Sequence, residues 1–161
     1  MYKKVRVSNL HTVELDGIDK IILEALMENS KTSISKIAKQ VGVSSTAIHQ
    51  RIKKLENANI IGDTVTLLNY KALGYKTTAY VGVFLEKSVY YKDAINDMLK
   101  IPEIIEAYFT TGNYTIFIKI LCKDNDHLMS VLRNGIQEIK GIERTETIIS
   151  LEQSISRQIK P

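Results

Sequence analysis

Between Ser44 and Glu56 the sequence places a run of side chains that can donate and accept hydrogen bonds at helical spacing. At ~100° per residue, Ile48, Ile52 and Leu55 define one apolar direction, and Gln50 points almost opposite to it. Thr46, Lys53 and Lys54 fall within ~60° of that opposite direction on the same helical spacing, with His49 on the flank and Arg51 beside the apolar face. A glutamine carboxamide pairs a donor with an acceptor, which matches an adenine edge in a DNA major groove. Thr46, His49 and Gln50 are therefore the candidate readers of base edges. Lys53, Lys54 and Ser44 are candidate phosphate contacts, which give position and salt dependence rather than sequence choice. Ser45, in the first turn, is a further candidate DNA contact. Arg51 has two readings, a phosphate contact or an ion pair with an intradomain carboxylate such as Glu56.

These residues need elements that hold them. Ile34, Ile37, Ala38 and Val41 recur at i, i+3, i+4 and i+7, one face of a helix. Gly42 stands where a helix end takes a left-handed residue, Val43 plugs the turn, and Ser44 can cap the helix that follows. Two helices around a tight turn make a helix-turn-helix, whose second helix enters the major groove. A preceding helix begins near Leu15, with Asp16 as its cap, Asp19 in its first turn and Ile18, Ile21, Ile22, Ala25 and Leu26 on one face. Asn59 suits the left-handed end of the recognition helix. Residues 1–13 form a short arm carrying Lys3, Lys4 and Arg6. Thr64–Leu68 reads as an extended strand, either a small wing or a linker that pairs with a partner chain.

A second group of chemistry-bearing residues lies later. Thr110, Thr111, Gly112, Asn113 and Tyr114 gather backbone donors and hydroxyls around a turn, and Thr145 and Thr147 alternate on the last strand. They can surround a small polar effector; they equally suit a plain β-turn and a polar strand face. Strands are expected over 77–85, 103–110, 114–122 and 143–151, with helices over 91–100 and 124–139. That order is β-α-β-β-α-β, a ferredoxin-like unit. Its two helices cover one sheet face, and the other, with residues such as Tyr80, Phe84 and Ile118 or their neighbours, has nothing left to cover it, which points to a dimer. The fold class is thus α+β: a (winged) helix-turn-helix domain over 1–63, a strand or hinge linker over 64–74, and a ferredoxin-like dimerisation and effector-binding domain over 75–161.

Charge placement agrees with this division. Residues 1–74 hold 11 Lys/Arg and 7 Asp/Glu, which accounts for the whole net charge of +4, whereas residues 75–161 hold 11 of each. A polyanion partner therefore suits the first half only. No apolar run reaches the ~18 residues of a membrane span. Met1–Arg6 is charged but is followed by no apolar stretch, so it is not a secretory signal. The single cysteine, Cys122, allows no intrachain disulfide and fits a reducing cytoplasm. His11, His49 and His127 are scattered, without metal-ligand spacing, and neither a Gly-rich phosphate loop nor a nucleophile elbow occurs. No metal, no cofactor and no catalytic residue is expected.

With these residues in hand, the chain resembles the Lrp/AsnC family, the feast/famine transcription regulators, over about residues 15–152. The likeness rests on Leu15-Asp16-Gly17-Ile18-Asp19, Ile22-Leu23, the run Ile37 to Ser44, Arg51-Ile52 with Leu55-Glu56, Ile60-Ile61-Gly62, Leu73-Gly74, Pro102-Glu103-Ile104, Thr111-Gly112-Asn113-Tyr114, Gly141-Ile142 and Thr145-Glu146-Thr147. The resemblance implies a cytoplasmic, sequence-specific regulator of transcription that binds double-stranded DNA. It implies a homodimer formed through the sheet, assembly to a higher oligomer such as an octamer, and a small effector, usually an amino acid, held between dimers. Three departures stand out. Gln50-Arg51 replaces a frequent pair of arginines, Asn59 replaces a glycine, and Gly112-Asn113-Tyr114-Thr115 replaces Gly-Asp-Tyr-Asp, so both turn carboxylates are missing. That loss bears on which effector binds, since a carboxylate there would suit an amino group. Two alternatives are a sirohaem-decarboxylase-like enzyme subunit and an effector-sensing oligomerisation partner that does not bind DNA. The first would need a basic, histidine-bearing cleft, against a neutral second half with only His127.

Overall fold

Asp16 starts the first helix in the computed structural model, which describes residues 13–161. The expected arm, with Lys3, Lys4, Arg6 and His11, lies outside the described residues up to residue 12. Asp16 takes the Asp19 N–H on its carboxylate and Asp19 returns the contact to the Asp16 N–H, a capping box that opens α1 (Gly17–Glu28). Ser33 caps α2 (Ile34–Val41), and Gly42 ends it at φ 73°, the left-handed value that favours glycine. Ser44 caps α3 (Ser45–Asn57). Asn59 follows at φ 56°, a position that asparagine tolerates better than most residues.

The described residues form two compact units, one of residues 13–67 with 155–161 and one of residues 68–154. In the first, Ile22 and Leu23 of α1, Ile37 and Ala38 of α2, and Ile48 and Leu55 of α3 make the core. Thr64–Leu68 pairs with no strand among the described residues, which therefore form no wing; Val65, Leu67 and Leu68 are exposed. β-branched composition favours an extended chain but supplies no hydrogen-bond partner, and a strand exists only when a neighbour completes its ladder.

The second unit runs β1 (Thr77–Leu85), a short 3₁₀ turn at Ser88–Tyr90, α4 (Tyr91–Met98), β2 (Ile104–Phe109), β3 (Ile116–Cys122), α5 (Asn125–Asn134), a 3₁₀ turn at Ile136–Glu138, and β4 (Ile142–Ser150). Its antiparallel sheet has the order β2-β3-β1-β4, so the β-α-β-β-α-β expectation holds. Asp124 caps α5 by accepting the His127 N–H.

Register settles which side chains share a face, because directly opposed residues point the same way. Val81 faces Ile118 on β3 and Thr147 on β4; Tyr80 faces Lys119 and Ile148. Ala79, Val81, Val83, Ile116, Ile118, Ile120 and Cys122 therefore form the helix-covered face with Ala94, Met98, Leu128, Val131 and Ile136. Ile118 is fully buried there, a correction to its expected place beside Tyr80 and Phe84. Both alternate sets of β3 are largely apolar, so composition could not choose between them.

On the open face, Gly82 exists for a neighbour. A methyl group there would lie 2.4 Å from the Tyr114 ring. Tyr114 crosses this gap to reach Glu146, its hydroxyl donating at 2.9 Å. Gly82→Ala is expected to displace the ring and destabilise the second unit by about 1–3 kcal/mol. Urea melts should show the loss, and combining it with Tyr114→Ala should recover part of it. Equal losses with and without Tyr114 would place the strain elsewhere.

Candidate functional site

The recognition helix is set by what it buries. Ile48 is completely inaccessible, Leu55 nearly so, and Ile52 packs on the same cluster. The opposite side is then necessarily turned outward: Ser45, Thr46, His49, Gln50, Lys53 and Lys54 are all exposed. Ser44 is exposed as well and accepts the Ala47 N–H on its Oγ at 3.1 Å, which fixes the helix start. Ser45, Thr46 and His49 line a shallow open depression with Ile34 and Ser35 of α2. The structure thus leaves the candidate base readers and the two lysines exposed on the outward side of α3.

Arg51 departs from this surface. Its Nη1 donates to Asp16 Oδ2 at 2.6 Å and to Asp19 Oδ1 at 2.7 Å. Of its two readings the intradomain ion pair is the one formed here, with the pair at the start of α1 in place of Glu56. Glu56 lies five residues on along α3, at ~140° from Arg51, whereas Arg51 flanks the buried face that packs on α1. The Asp16 carboxyl is held below its ordinary 3.8, first by the Asp19 N–H and then by the Arg51 guanidinium, and Arg51 is pushed above its own ordinary value by Asp16 and then Asp19.

The candidate effector residues divide. Thr110 to Tyr114 form one turn: the Thr110 hydroxyl donates to the Tyr114 carbonyl at 2.7 Å, the Thr110 N–H to the Thr115 carbonyl at 3.2 Å, and Gly112 takes φ 105°. Tyr114 turns its ring onto the open sheet face, edge-on to Phe84 with centroids 5.2 Å apart and stacked near Phe117. Thr145 and Thr147 oppose Val83 and Val81, so they occupy the helix side of the sheet. Thr145 Oγ1 accepts from Gln137 there at 3.1 Å. Within one chain the sheet separates the Tyr114 ring from both threonines. The alternation read in β4 was sound; only the pairing with β1 says which face each set takes.

Sequence reasoning passed over Arg144 and Glu146. They alternate with Thr145 and pair with each other on the open face, Arg144 also lying 3.4 Å over the Phe84 ring. Glu146 sits below its ordinary value because of Arg144 and then the Tyr114 hydroxyl. On the same face, Lys119 pairs with Glu106 at 3.2 Å, and the Tyr108 hydroxyl donates to Glu106 at 2.8 Å. The signal for the Arg144–Glu146 pair was the opposite charges two residues apart on β4, which read at first as a solvated edge. Among the described residues no three His, Cys, Asp or Glu side chains converge as for a metal ion, and no helix is long and apolar enough to cross a membrane.

Comparison with known proteins adds to this geometry. Residues 15–56 match the AsnC-type helix-turn-helix domain, and residues 78–159 match the Lrp/AsnC ligand binding domain. Regulatory protein AsnC of Escherichia coli K12 is 43% identical over 147 residues, covering 91% of this chain and 97% of that protein. The HTH-type transcriptional regulator FL11 of Pyrococcus furiosus is 36% identical, covering 86% and 90%. The solved structure of Escherichia coli AsnC superposes with a TM-score of 0.89 at 42% identity, over 92% of this chain and 100% of that one. A Neisseria meningitidis regulator solved with L-Met shares the fold, with a TM-score of 0.82 at 22% identity, over 92% and 97%.

The Asp16 shift carries a pH dependence. A depressed carboxyl stabilises the folded state fully above its unfolded value, and the contribution is lost as pH falls through the folded value. Wild type should therefore be more stable than Asp16→Asn at neutral pH, with the gap closing below the ordinary 3.8. Thermal melts from pH 7 down to pH 2, roughly the span in which paired carboxylates titrate, test this; a gap constant with pH would remove the charge from the explanation.

Proposed function

The chain belongs to the Lrp/AsnC family of transcriptional regulators, and on that premise we propose that α3 reads duplex DNA through Thr46, His49 and Gln50 while Ser44, Ser45, Lys53 and Lys54 hold the phosphates. The observation that carries this reading is the division of α3: its buried face is wholly apolar, and every candidate contact except Arg51 stands in solvent. The positive excess of residues 1–74 supports the same surface. As a regulator the protein acts by binding, in the cytoplasm, rather than by catalysis.

The protein works as a homodimer. Tyr80, Phe84, Phe117 and Tyr114 spread an aromatic layer over the sheet face that no helix among the described residues covers, with Tyr80 stacked on Phe117 at 5.9 Å. The charges on this face are neutralised in place by the Arg144–Glu146 and Lys119–Glu106 pairs. A surface that is apolar at its centre and self-compensated in charge can meet its own copy across a two-fold axis. Dimers place two recognition helices for pseudo-palindromic half-sites. Further assembly, such as an octamer, and an amino acid at the turn Thr110–Tyr114 complete the proposal, with Thr145 and Thr147 contributing from a different face or a different subunit.

Mobility shifts across a salt series test the DNA assignment. Lys53→Ala should weaken binding to all duplexes alike and lower the salt slope by about 0.9. Gln50→Ala should change sequence preference at one position, by about 1–3 kcal/mol. An unchanged preference would remove Gln50 from base reading, and negligible affinity at low salt would sink DNA binding as a whole. For the effector, the twenty amino acids should be screened by thermal shift. A ligand at a hundredfold its Kd stabilises by about 2.7 kcal/mol, so a binder raises Tm by several degrees. No shift with any of them at millimolar levels would exclude an amino acid.

A further inference from the structure

Arg51 is a charged member of the candidate DNA surface that the fold has already engaged in ion pairs. A single nitrogen, Nη1, lies 2.6 Å from Asp16 Oδ2 and 2.7 Å from Asp19 Oδ1. The other oxygen of each carboxylate serves the backbone: Asp16 Oδ1 accepts the Asp19 N–H at 2.8 Å, and Asp19 Oδ2 accepts the Asp16 N–H at 3.4 Å. The capping box of α1 and the flank of α3 are thus one network in which all four carboxylate oxygens are used. Asp19 is only 3% exposed. A carboxylate so buried requires a countercharge, and Arg51 supplies it across 32 residues of chain. Swinging Arg51 out to a phosphate would strip Asp19 of that charge. Two acids on one guanidinium also leave no net positive charge there for a polyanion.

The position of Arg51 on α3 gives the network its use. Ile48 and Leu55 hold the helix by apolar contact, which is non-directional and tolerates rotation. Arg51 sits on the flank, next in sequence to Gln50, and its contacts are directional. Recognition groups need to be held within about 0.5 Å and 10–20°. We propose that Arg51 is a positioning residue: clamped by Asp16 and Asp19, it fixes the rotation of the recognition helix, reads no base and takes no phosphate. The inference rests on the DNA-reading assignment of α3.

The test uses the full-length protein, a duplex selected by the wild type from a random pool, and a scrambled duplex of the same length. Arg51→Gln and Asp19→Asn should each lower the selected-to-scrambled affinity ratio about tenfold, the scale of one lost base contact. Arg51→Gln should leave the salt slope on the scrambled duplex unchanged. A phosphate contact predicts the reverse pattern: a slope reduced by about 0.9 with Arg51→Gln, and tighter binding to both duplexes with Asp19→Asn, which removes a negative charge and frees Arg51. That pattern overturns the proposal. Should Arg51→Gln not fold, Asp19→Asn still separates the two, because the predicted changes differ in sign. Urea melts of the two variants and their double mutant, without DNA, complete the test. The double variant should lose at least about fivefold less folding equilibrium than the product of the single losses. Independent losses would mean no clamp. If the wild type selects no duplex, the DNA reading fails, and the melts alone decide whether the clamp exists.

Discussion

Ile48 decides what the third helix shows to solvent. It is completely buried among Ile22 and Leu23 of α1 and Ile37 and Ala38 of α2, and Leu55 is buried two turns further along. Burying an aliphatic side chain of this size contributes about 1.5–3 kcal/mol, a large share of the stability of a small helical unit. Once Ile48 and Leu55 are inside, helical period turns the polar positions of α3 toward solvent. Gln50 and the lysines must point away, and the serine cap at Ser44 fixes where the helix begins. The outward direction of these side chains descends from that apolar anchoring.

The same logic governs the second unit with a different period. One face of the sheet is committed to α4 and α5 by Ala79, Val81, Val83, Ile116, Ile118 and Ile120. Alternation then delivers Tyr80, Phe84, Phe117, Lys119, Arg144 and Glu146 to the other face, where their aromatic and charged groups satisfy one another. Tyr114 joins the turn at residues 110–114 to this face through Glu146, and Gly82 leaves the space for it. The turn and the open face are therefore mechanically continuous, although residues from the turn and from β4 enter them by different routes.

Departures from the family pattern become understandable as local chemistry. Asn59 replaces a glycine and adopts the left-handed backbone that the position demands. Gln50 in place of an arginine exchanges a full charge for a paired donor and acceptor on the solvent side. The adjacent Arg51 keeps its charge but applies it inward, to Asp16 and Asp19.

The sequence by itself determined the helix-turn-helix with its caps at Asp16 and Ser44, the strand and helix order of the second half, and the outward direction of Thr46, His49, Gln50, Lys53 and Lys54. These follow from local periods and from capping chemistry, which act within a few residues. Tertiary structure decided what lies far apart in sequence. It assigned Ile118 to the covered face, since both alternate sets of β3 are largely apolar and only pairing with β1 distinguishes them. It left Thr64–Leu68 without a ladder partner among the described residues, since propensity cannot provide one. It gave Arg51 to Asp16 and Asp19, 35 and 32 residues away, because packing α3 on α1 sets the distance between their charges and helical spacing alone does not. It set Thr145 and Thr147 on the opposite face from the Tyr114 ring, because register, unlike alternation, is a relation between strands.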